Sequence, residues 1–273
     1  MYTGYKEIIP SDAMLAQYYT DRSQNWFNCV RNEYIILKDQ EGNVVDKAKW
    51  IGDRYEDLSF KRIENDWVGR ISPRNPQQHL AFDMLQDPST TIKIVTGSYG
   101  SGKTFLMVGH ALDLIKKGKF DRLVWVRNNI EVKDSAPLGM LPGSAYDKLL
   151  PYAGPLIDHV GGLDGLNALI DNGTIELQHL GYIRGRDIKN SIIISSEAEN
   201  LTKQHVQLLI GRVGEGSNLW LDGDYRQVDK AIFKENSGLE RAVTCLAGEP
   251  LFAYVNLPIS ERSATARLAD KLD

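Results

Sequence analysis

An eight-residue segment near the middle of the chain has the residue types and spacing of a phosphate-binding loop. It matches the Walker A pattern and consists of Gly97, Ser98, Tyr99, Gly100, Ser101, Gly102, Lys103 and Thr104. Glycines let backbone N–H groups curve around phosphate oxygens, and the N-terminus of a following helix adds partial positive charge. We therefore predict that this loop binds ATP, with Lys103 reaching the β- and γ-phosphates and the Thr104 hydroxyl coordinating Mg²⁺.

The sequence on either side of this loop predicts the strand and the helix that a phosphate-binding loop requires. Residues 92–96, with the sequence IKIVT, are rich in β-branched side chains and predict a strand. Phe105 then begins an apolar stretch typical of a helix, and it is included among the predicted nucleotide contacts. The alternative is a glycine-rich turn without a ligand, but the strand–loop–helix context favours the phosphate-binding interpretation.

Hydrolysis of a bound nucleotide also requires a group that orients or deprotonates the attacking water. Glu197 follows a strand-like segment with isoleucine at positions 192–194, and it is the candidate general base. The alternative for Glu197 is a carboxylate at a helix start, where the helix dipole favours it. Gln227 follows a second strand-like segment, 218–221, and is the candidate contact to the γ-phosphate or the water, unless it belongs to a simple turn.

The order of the predicted elements indicates the fold class. After residue 73, strands alternate with helices, which predicts an α/β P-loop NTPase with a mostly parallel sheet and helices on both faces. Residues 1–72 predict a small α+β N-terminal segment, with a helix starting near Ser11 and a hairpin between residues 33 and 51. The two prolines in residues 71–76 mark the boundary, so the predicted ATPase domain covers residues 73–273.

Composition narrows the class of protein. The formal net charge of −4 and the pI of about 5.8 argue against a chain coated in nucleic acid and allow only a local basic groove. Two widely separated cysteines, no secretory signal and no apolar run of about 18 residues predict a cytoplasmic protein without a membrane partner. Arg184 and Arg186 could bind nucleic-acid phosphate, act on ATP across a homo-oligomer interface, or be solvated surface charges.

Several ordered blocks of sequence resemble the PhoH-like ATPases, and in particular the short phage-borne type. The blocks are residues 74–78, 97–104, 138–143, 184–186, 197–200, 211–214, 223–227, 237–239 and 261–263. The resemblance is close over residues 74–270 and loose over the N-terminal segment. It implies an ATPase with Gln78 reading adenine and Arg262 contacting the γ-phosphate. It also implies an RNA or DNA partner, because RNA unwinding has been proposed for the family, and a host-cytoplasmic location for a phage-encoded chain.

Three residues depart from the pattern of that family. Ser196 replaces the Walker B aspartate, Glu199 replaces a glutamine, and Asn128 replaces the usual proline of the first loop. A serine cannot supply negative charge to a metal site, which puts hydrolysis in question. Two functions therefore stay open, namely an ATP hydrolase coupled to nucleic acid and a nucleotide-binding switch or scaffold with little turnover. A small-molecule kinase is a third and weaker alternative.

Asp222 offers a replacement for the missing carboxylate. The family usually has a small neutral residue there, directly before Gly223. In the strand order of helicase-type P-loop proteins, the strand ending at Gly223 lies between the Walker A and Walker B strands. We therefore hypothesise that the metal-site carboxylate has moved from position 196 to 222. The alternative is an aspartate on the surface or in a loop, and a carboxylate more than about 8 Å from Thr104 and Lys103 would exclude a metal role.

Overall fold

The N-terminal segment contains a four-stranded mixed sheet. The computed structural model describes residues 1–127 and 149–261, and in it this sheet has the order β1-β2-β3-β4. The segment consists of β1 Tyr5–Ile8, α1 Asp12–Thr20, β2 Tyr34–Lys38, β3 Val44–Trp50, β4 Tyr55–Asp57, β5 Ile63–Asn65 and β6 Gly69–Ile71. Ser11 caps α1, and β2 and β3 are antiparallel, so the predicted helix and hairpin are confirmed. The parallel pairing of β1 with β2 was not predicted.

A six-stranded sheet, in which every neighbouring pair of strands is parallel, follows the N-terminal segment. Its strands are β7 Ile92–Gly97, β8 Arg122–Arg127, β9 Ile175–His179, β10 Ser191–Ser195, β11 Asn218–Gly223 and β12 Phe252–Leu257. Their order across the sheet is β12-β7-β11-β10-β8-β9. The expectation that β11 lies between the Walker A strand β7 and the Walker B strand β10 is therefore confirmed.

Helices cover both faces of this sheet, which confirms the predicted α/β fold of a P-loop NTPase. They are α2 Pro76–Gln86, α3 Lys103–Lys116, α4 Gly154–Ile157, α5 Gly162–Asp171, α6 Lys203–Ile210, α7 Ala231–Glu235 and α8 Gly238–Leu246. Ile192 and Ile194 pack with α2, α3 and α5, whereas Ile193 packs with α6 and α8, because successive strand side chains point to opposite faces. None of the helices in the described ranges combines the length and the apolar character needed to cross a lipid bilayer.

The N-terminal segment shares its core with the parallel-sheet part of the chain. Tyr34 belongs to the same cluster of buried side chains as the apolar residues of α2 and α3. Its hydroxyl donates to Asp83 Oδ2 at 2.8 Å, and Lys49 Nζ lies 3.1 Å from the same atom and 2.7 Å from Asp87 Oδ2. Buried charges require such partners. The predicted boundary at residues 71–76 therefore separates two regions of sequence that are packed together in the folded chain.

Gly4 lies where the backbones of the two sheets approach each other closely. The Asn256 N–H of β12 donates to Thr3 O at 2.9 Å, and the Tyr34 N–H of β2 donates to Gly4 O at 2.9 Å. Gly4 has a φ of +83°, and a Cβ atom at this position would lie 1.7 Å from Tyr254 O. Only glycine fits both the backbone conformation and the space.

Replacing Gly4 by alanine tests this contact, and Gly42→Ala is the matched control. Gly42 has a similar φ of +87°, but its added Cβ would meet nothing within 4 Å. We expect Gly42→Ala to lower the free energy of unfolding by about 1 kcal/mol and Gly4→Ala by about 2–4 kcal/mol, because only Gly4→Ala adds crowding. Urea unfolding followed by circular dichroism measures both values, and equal losses would contradict the role given to Gly4.

Candidate functional site

The glycines of the predicted phosphate-binding loop adopt conformations and contacts that other residues would strain. Gly100 and Gly102 have φ values of +77° and +86°, in the left-handed region. A Cβ at Gly97 would lie 2.2 Å from Leu257 O of the neighbouring strand β12. The loop thus connects the end of β7 to the start of α3 along a path that glycine permits. The loop could not follow this path if residues with side chains replaced these glycines.

Hydrogen-bond donors converge on this loop. Lys103 Nζ donates to Gly97 O at 2.8 Å and to Ser98 O at 3.0 Å, so the amine is held against the loop. The side-chain oxygens of Ser98 and Ser101 are buried and have no hydrogen-bond partner within residues 1–127 and 149–261. No side chain caps the N-terminus of α3, which leaves its first N–H groups available. An ammonium group, two hydroxyls and an uncapped helix start form a donor set that suits a phosphate group.

Asp222 lies at the point where three strands end. Its Oδ2 accepts a hydrogen bond from Thr104 Oγ1 at 2.9 Å, and its Oδ1 accepts from Ser196 Oγ and from the Glu197 N–H, both at 3.0 Å. The residue is 2% exposed and belongs to β11, so the alternative of a surface or loop aspartate is wrong. The carboxylate is therefore close enough to Thr104 for the metal-site hypothesis, and its metal role stays a proposal.

Glu197 follows β10 and Ser196 with an unusual backbone conformation. Its φ is +56°, which is uncommon for a residue with a side chain. Its carboxylate accepts from Arg127 Nη2 at 2.8 Å. The next α-helix is α6, and Thr202 caps it through a bond to the His205 N–H. Glu197 is the residue before the short 3₁₀ helix Ala198–Asn200 but makes no side-chain cap bond to it, so the helix-start alternative and the general-base role both stay predictions.

A cavity of about 440 Å³ brings the predicted groups together. It is lined by Tyr99, Gly100, Gly102, Lys103, Thr104, Phe105, Pro155, Asp158, His159, Ser196, Glu197, Glu199, Asp222, Gly223, Asp224 and Gln227. The wall that includes Asp158 and His159 was not predicted. The His159 ring packs edge-on against Phe105 with centroids 5.3 Å apart. Burial lowers the pKa of His159, so its imidazole is neutral near pH 7.

Of the remaining predicted residues, one lies against the loop, one lines the cavity, and the others are outside the described ranges. Gln78 is buried against the loop, where its Nε2 donates to Ser101 O at 3.4 Å while its Oε1 accepts from the Arg74 N–H at 2.9 Å. Gln227 is exposed at the cavity rim, in a turn that its N–H closes on Asp224 O at 3.0 Å. Arg262, Asn128 and residues 138–143 lie outside the described residues.

A metal ion at this site would need other ligands in addition to protein side chains. Within the described ranges, no three His, Cys, Asp or Glu residues are arranged to hold a metal ion. Magnesium at nucleotide sites is usually bound by one or two protein groups, with phosphate oxygens and waters completing its octahedron. Thr104 and Asp222 would supply such a partial set, since their oxygens are 2.9 Å apart.

The chain is similar in sequence to known proteins of bacteria. The chain is 34% identical, over its whole length, to Protein PhoH2 of Bacillus subtilis, of which it spans 64%. It is 36% identical over 56% of its length to a PhoH-like protein of the same bacterium, spanning 48% of that relative. A solved structure, the Sulfolobus solfataricus SWI2/SNF2 ATPase core in complex with dsDNA, matches with 14% identity and a TM-score of 0.36 over 66% of this chain and 38% of the other.

The curated relatives are longer than this chain, which spans less than two thirds of each of the two relatives named above. The family model described as PhoH-like protein matches residues 70–266, which include the phosphate-binding loop and all strands of the parallel sheet. On this match, and on the identity to the curated relatives, the chain belongs to the PhoH-like protein family.

Proposed function

We propose that the chain is a Mg²⁺-dependent ATP hydrolase in which Asp222 takes the place of the Walker B carboxylate that Ser196 lacks. Family membership and the P-loop fold make it a nucleotide-binding protein of the ATPase type. The observation that carries the finer proposal is the Asp222 carboxylate, which lies 2.9 Å from the Thr104 hydroxyl and 3.0 Å from the Ser196 hydroxyl. The missing negative charge is thus supplied from the neighbouring strand.

Binding of ATP would use donors that now face the loop itself. The Lys103 amine would exchange its two loop carbonyls for β- and γ-phosphate oxygens, and the Ser98 and Ser101 hydroxyls would gain acceptors. Thr104 and Asp222 would hold Mg²⁺, which neutralises negative charge on the phosphate oxygens during hydrolysis. Gln78, which contacts the loop through Ser101 O, is the proposed adenine contact.

Hydrolysis requires a base and a positioned water. In the proposed reaction, the Glu197 carboxylate accepts a proton from the water as the water oxygen attacks the γ-phosphorus. The bond between the γ-phosphorus and the bridging oxygen breaks, its electron pair leaves with ADP, and inorganic phosphate is the second product. Gln227 is placed at the cavity rim, where an amide could orient the water. Arg262 is proposed as a further γ-phosphate contact on the family resemblance.

A nucleotide-binding switch with little turnover is the second candidate. Ser196 favours it, because the position that carries the Walker B carboxylate in the family has no charge here. Under this alternative, Asp222 would serve only as an internal hydrogen-bond acceptor for Thr104 and Ser196. The two functions differ in whether Asp222 takes part in metal-dependent hydrolysis. Substitution of Asp222 can therefore distinguish them.

Moving the carboxylate between the two strands tests the proposal. We expect Asp222→Ser to lower the Mg²⁺-dependent kcat by about 100-fold, which is the scale of losing one group that stabilises charge at an active site. Adding Ser196→Asp to that variant should restore a measurable part of the rate, because a carboxylate again lies near Thr104. Phosphate release at saturating ATP measures these rates. An Asp222→Ser variant with the wild-type rate would contradict the role of Asp222.

Nucleic-acid coupling is a separate part of the proposal, supported by the family resemblance and by exposed basic residues such as Arg184 and Lys203. We expect single-stranded RNA or DNA to raise phosphate release by the wild-type chain by about tenfold and to cause no such rise in Lys103→Ala and Glu197→Gln. The same assay without nucleic acid is the control. Equal background rates in all three proteins, with ATP still bound by the wild type, would favour the switch.

Glu199 gives the site a pH-dependent element. It is 4% exposed, its carboxyl accepts from the Asp224 N–H at 3.0 Å, and it stands where the family has a neutral glutamine. Burial, with smaller contributions from Asp222 and Glu197, raises the pKa of Glu199 to about 8. At neutral pH the buried carboxyl is therefore mostly protonated and uncharged, as the family's amide is.

Glu199→Gln tests this assignment through stability. The folded-state pKa of Glu199 is raised, so its protonation stabilises the fold fully below pH of about 4.5, and this contribution is lost as pH rises toward 8. We expect the variant to gain stability relative to wild type by more than about 1 kcal/mol between pH 5 and pH 8. Urea unfolding at both pH values measures the difference.

Glu176→Gln is the matched control for that experiment. Burial raises the pKa of Glu176, but Arg186, Gln178 and Arg122 together outweigh burial and lower the pKa overall. Glu176 is therefore ionised in both folded and unfolded chains from pH 5 to pH 8, and its replacement should shift stability by the same amount at each pH. If the stability difference between Glu199→Gln and wild type is also the same at pH 5 and pH 8, Glu199 is charged in the folded chain.

A further inference from the structure

Arg127 is the last residue of β8, at the sheet edge that carries the candidate site, and it is 8% exposed. The strand register pairs Val126 with Ser195 of β10, so Arg127 lies beside the segment that leads to Glu197. Taking a guanidinium group out of water is costly unless a partner of opposite charge compensates. The position of Arg127 therefore requires an acidic partner.

Glu197 is that partner, and the pair is asymmetric. Arg127 Nη2 donates to Glu197 Oε2 at 2.8 Å, while the side chains are 10% and 48% exposed respectively. The arginine end is buried among neighbouring strands, whereas the carboxylate end reaches the cavity of about 440 Å³. Arg127 is not among the described residues that line this cavity, so it contacts the candidate base from the protein side.

The main chain of Glu197 is also held in place. Its φ of +56° costs a residue with a side chain about 1 kcal/mol or more. The Glu197 N–H donates to Asp222 Oδ1 at 3.0 Å, so one bond fixes the backbone while Arg127 fixes the side chain. Strained residues that their surroundings fix from several sides concentrate at functional sites, where orientation is part of the mechanism.

The simpler interpretation is an ion pair that only stabilises the fold, and the unused capacity of Arg127 argues against it. Its Nη1 is buried and has no hydrogen-bond partner in the part of the chain that the structure describes. Arginines in stabilising pairs usually bind carboxylates with both arms of the guanidinium fork. A buried donor without a partner costs about 1–3 kcal/mol. Within the described residues, the pair therefore satisfies only part of the guanidinium group, although it fixes one carboxylate oxygen of Glu197.

We propose that Arg127 is a positioning residue, which holds the Glu197 carboxylate in the orientation needed to deprotonate the attacking water. The inference rests on the proposed function, because it takes Glu197 as the general base of ATP hydrolysis. Arg127 acts through Glu197 and not on the nucleotide. General-base catalysis contributes about 10²–10⁴-fold to rate, and a base that is no longer oriented loses part of this factor.

The test compares Arg127→Met and Arg127→Lys with the control Arg122→Met. Arg122 is at the opposite end of the same strand and also pairs with a glutamate, Glu176, at 3.2 Å. We expect Arg127→Met to lower kcat for Mg-ATP by about tenfold or more, with KM and the binding of a non-hydrolysable ATP analogue changed by less than about twofold. Arg127→Lys should recover part of the rate, since it keeps the charge, and Arg122→Met should match wild type.

A double-mutant cycle separates positioning from a general effect on the fold. Because Arg127 acts through Glu197, adding Arg127→Met to Glu197→Gln should cause no further loss of kcat. Thermal unfolding of each variant checks that the chain is folded. If Arg127→Met does not fold, the Arg127→Lys variant and its combination with Glu197→Gln carry the same comparison.

Three results would overturn the inference alone. The first is an unchanged kcat in Arg127→Met while Glu197→Gln strongly lowers kcat, which leaves the proposed function intact. The second is a loss of kcat from Arg127→Met that is as large in the Glu197→Gln background as in the wild type. The third is a loss of nucleotide binding that parallels the loss of kcat. Either result would show that Arg127 does not act through Glu197. A wild-type chain that binds ATP but never hydrolyses it would overturn the proposed function itself, and the inference with it.

Discussion

The candidate site depends on one buried carboxylate. Asp222 is 2% exposed, and a charge in such a place must be satisfied by donors that the fold brings to it. Thr104 donates from the start of α3, and Ser196 and the Glu197 N–H donate from the end of β10. These three bonds join the phosphate-binding loop to the segment that carries the candidate base. The positions of the proposed metal site and of the candidate base are therefore linked by the same carboxylate.

The parts of this structure that the sequence predicted are those that local chemistry determines. The phosphate-binding loop follows from glycines that tolerate positive φ, and the parallel strands follow from apolar runs that must be buried on both faces. The contact of Asp222 with Thr104 needed one further step, the strand order, which the family resemblance supplied. The helix, hairpin and sheet predictions are confirmed, whereas the functional roles of the site residues stay predictions.

The parts that the sequence did not predict depend on contacts between distant segments. His159 lines the cavity because α4 is brought against Phe105, and no spacing in the sequence signals that meeting. The ion pair of Arg127 with Glu197 likewise requires that β8 and β10 be neighbours in register. Strand β1 has four residues and pairs in parallel with β2, so neither length nor a hairpin turn identifies it. The position of His159, the ion pair and the pairing of β1 are each determined by the packing of distant segments and not by residue type.

The amine of Lys103 already has acceptors, the carbonyl oxygens of Gly97 and Ser98. If phosphate binds here as proposed, the loop competes with that ligand, because an incoming phosphate must replace two bonds that the folded chain makes for itself. The measured affinity for nucleotide is therefore a difference between two sets of bonds to one ammonium group. It follows that tight binding here depends less on the number of contacts than on the charge of the oxygens exchanged, since phosphate carries a full negative charge and a peptide carbonyl does not.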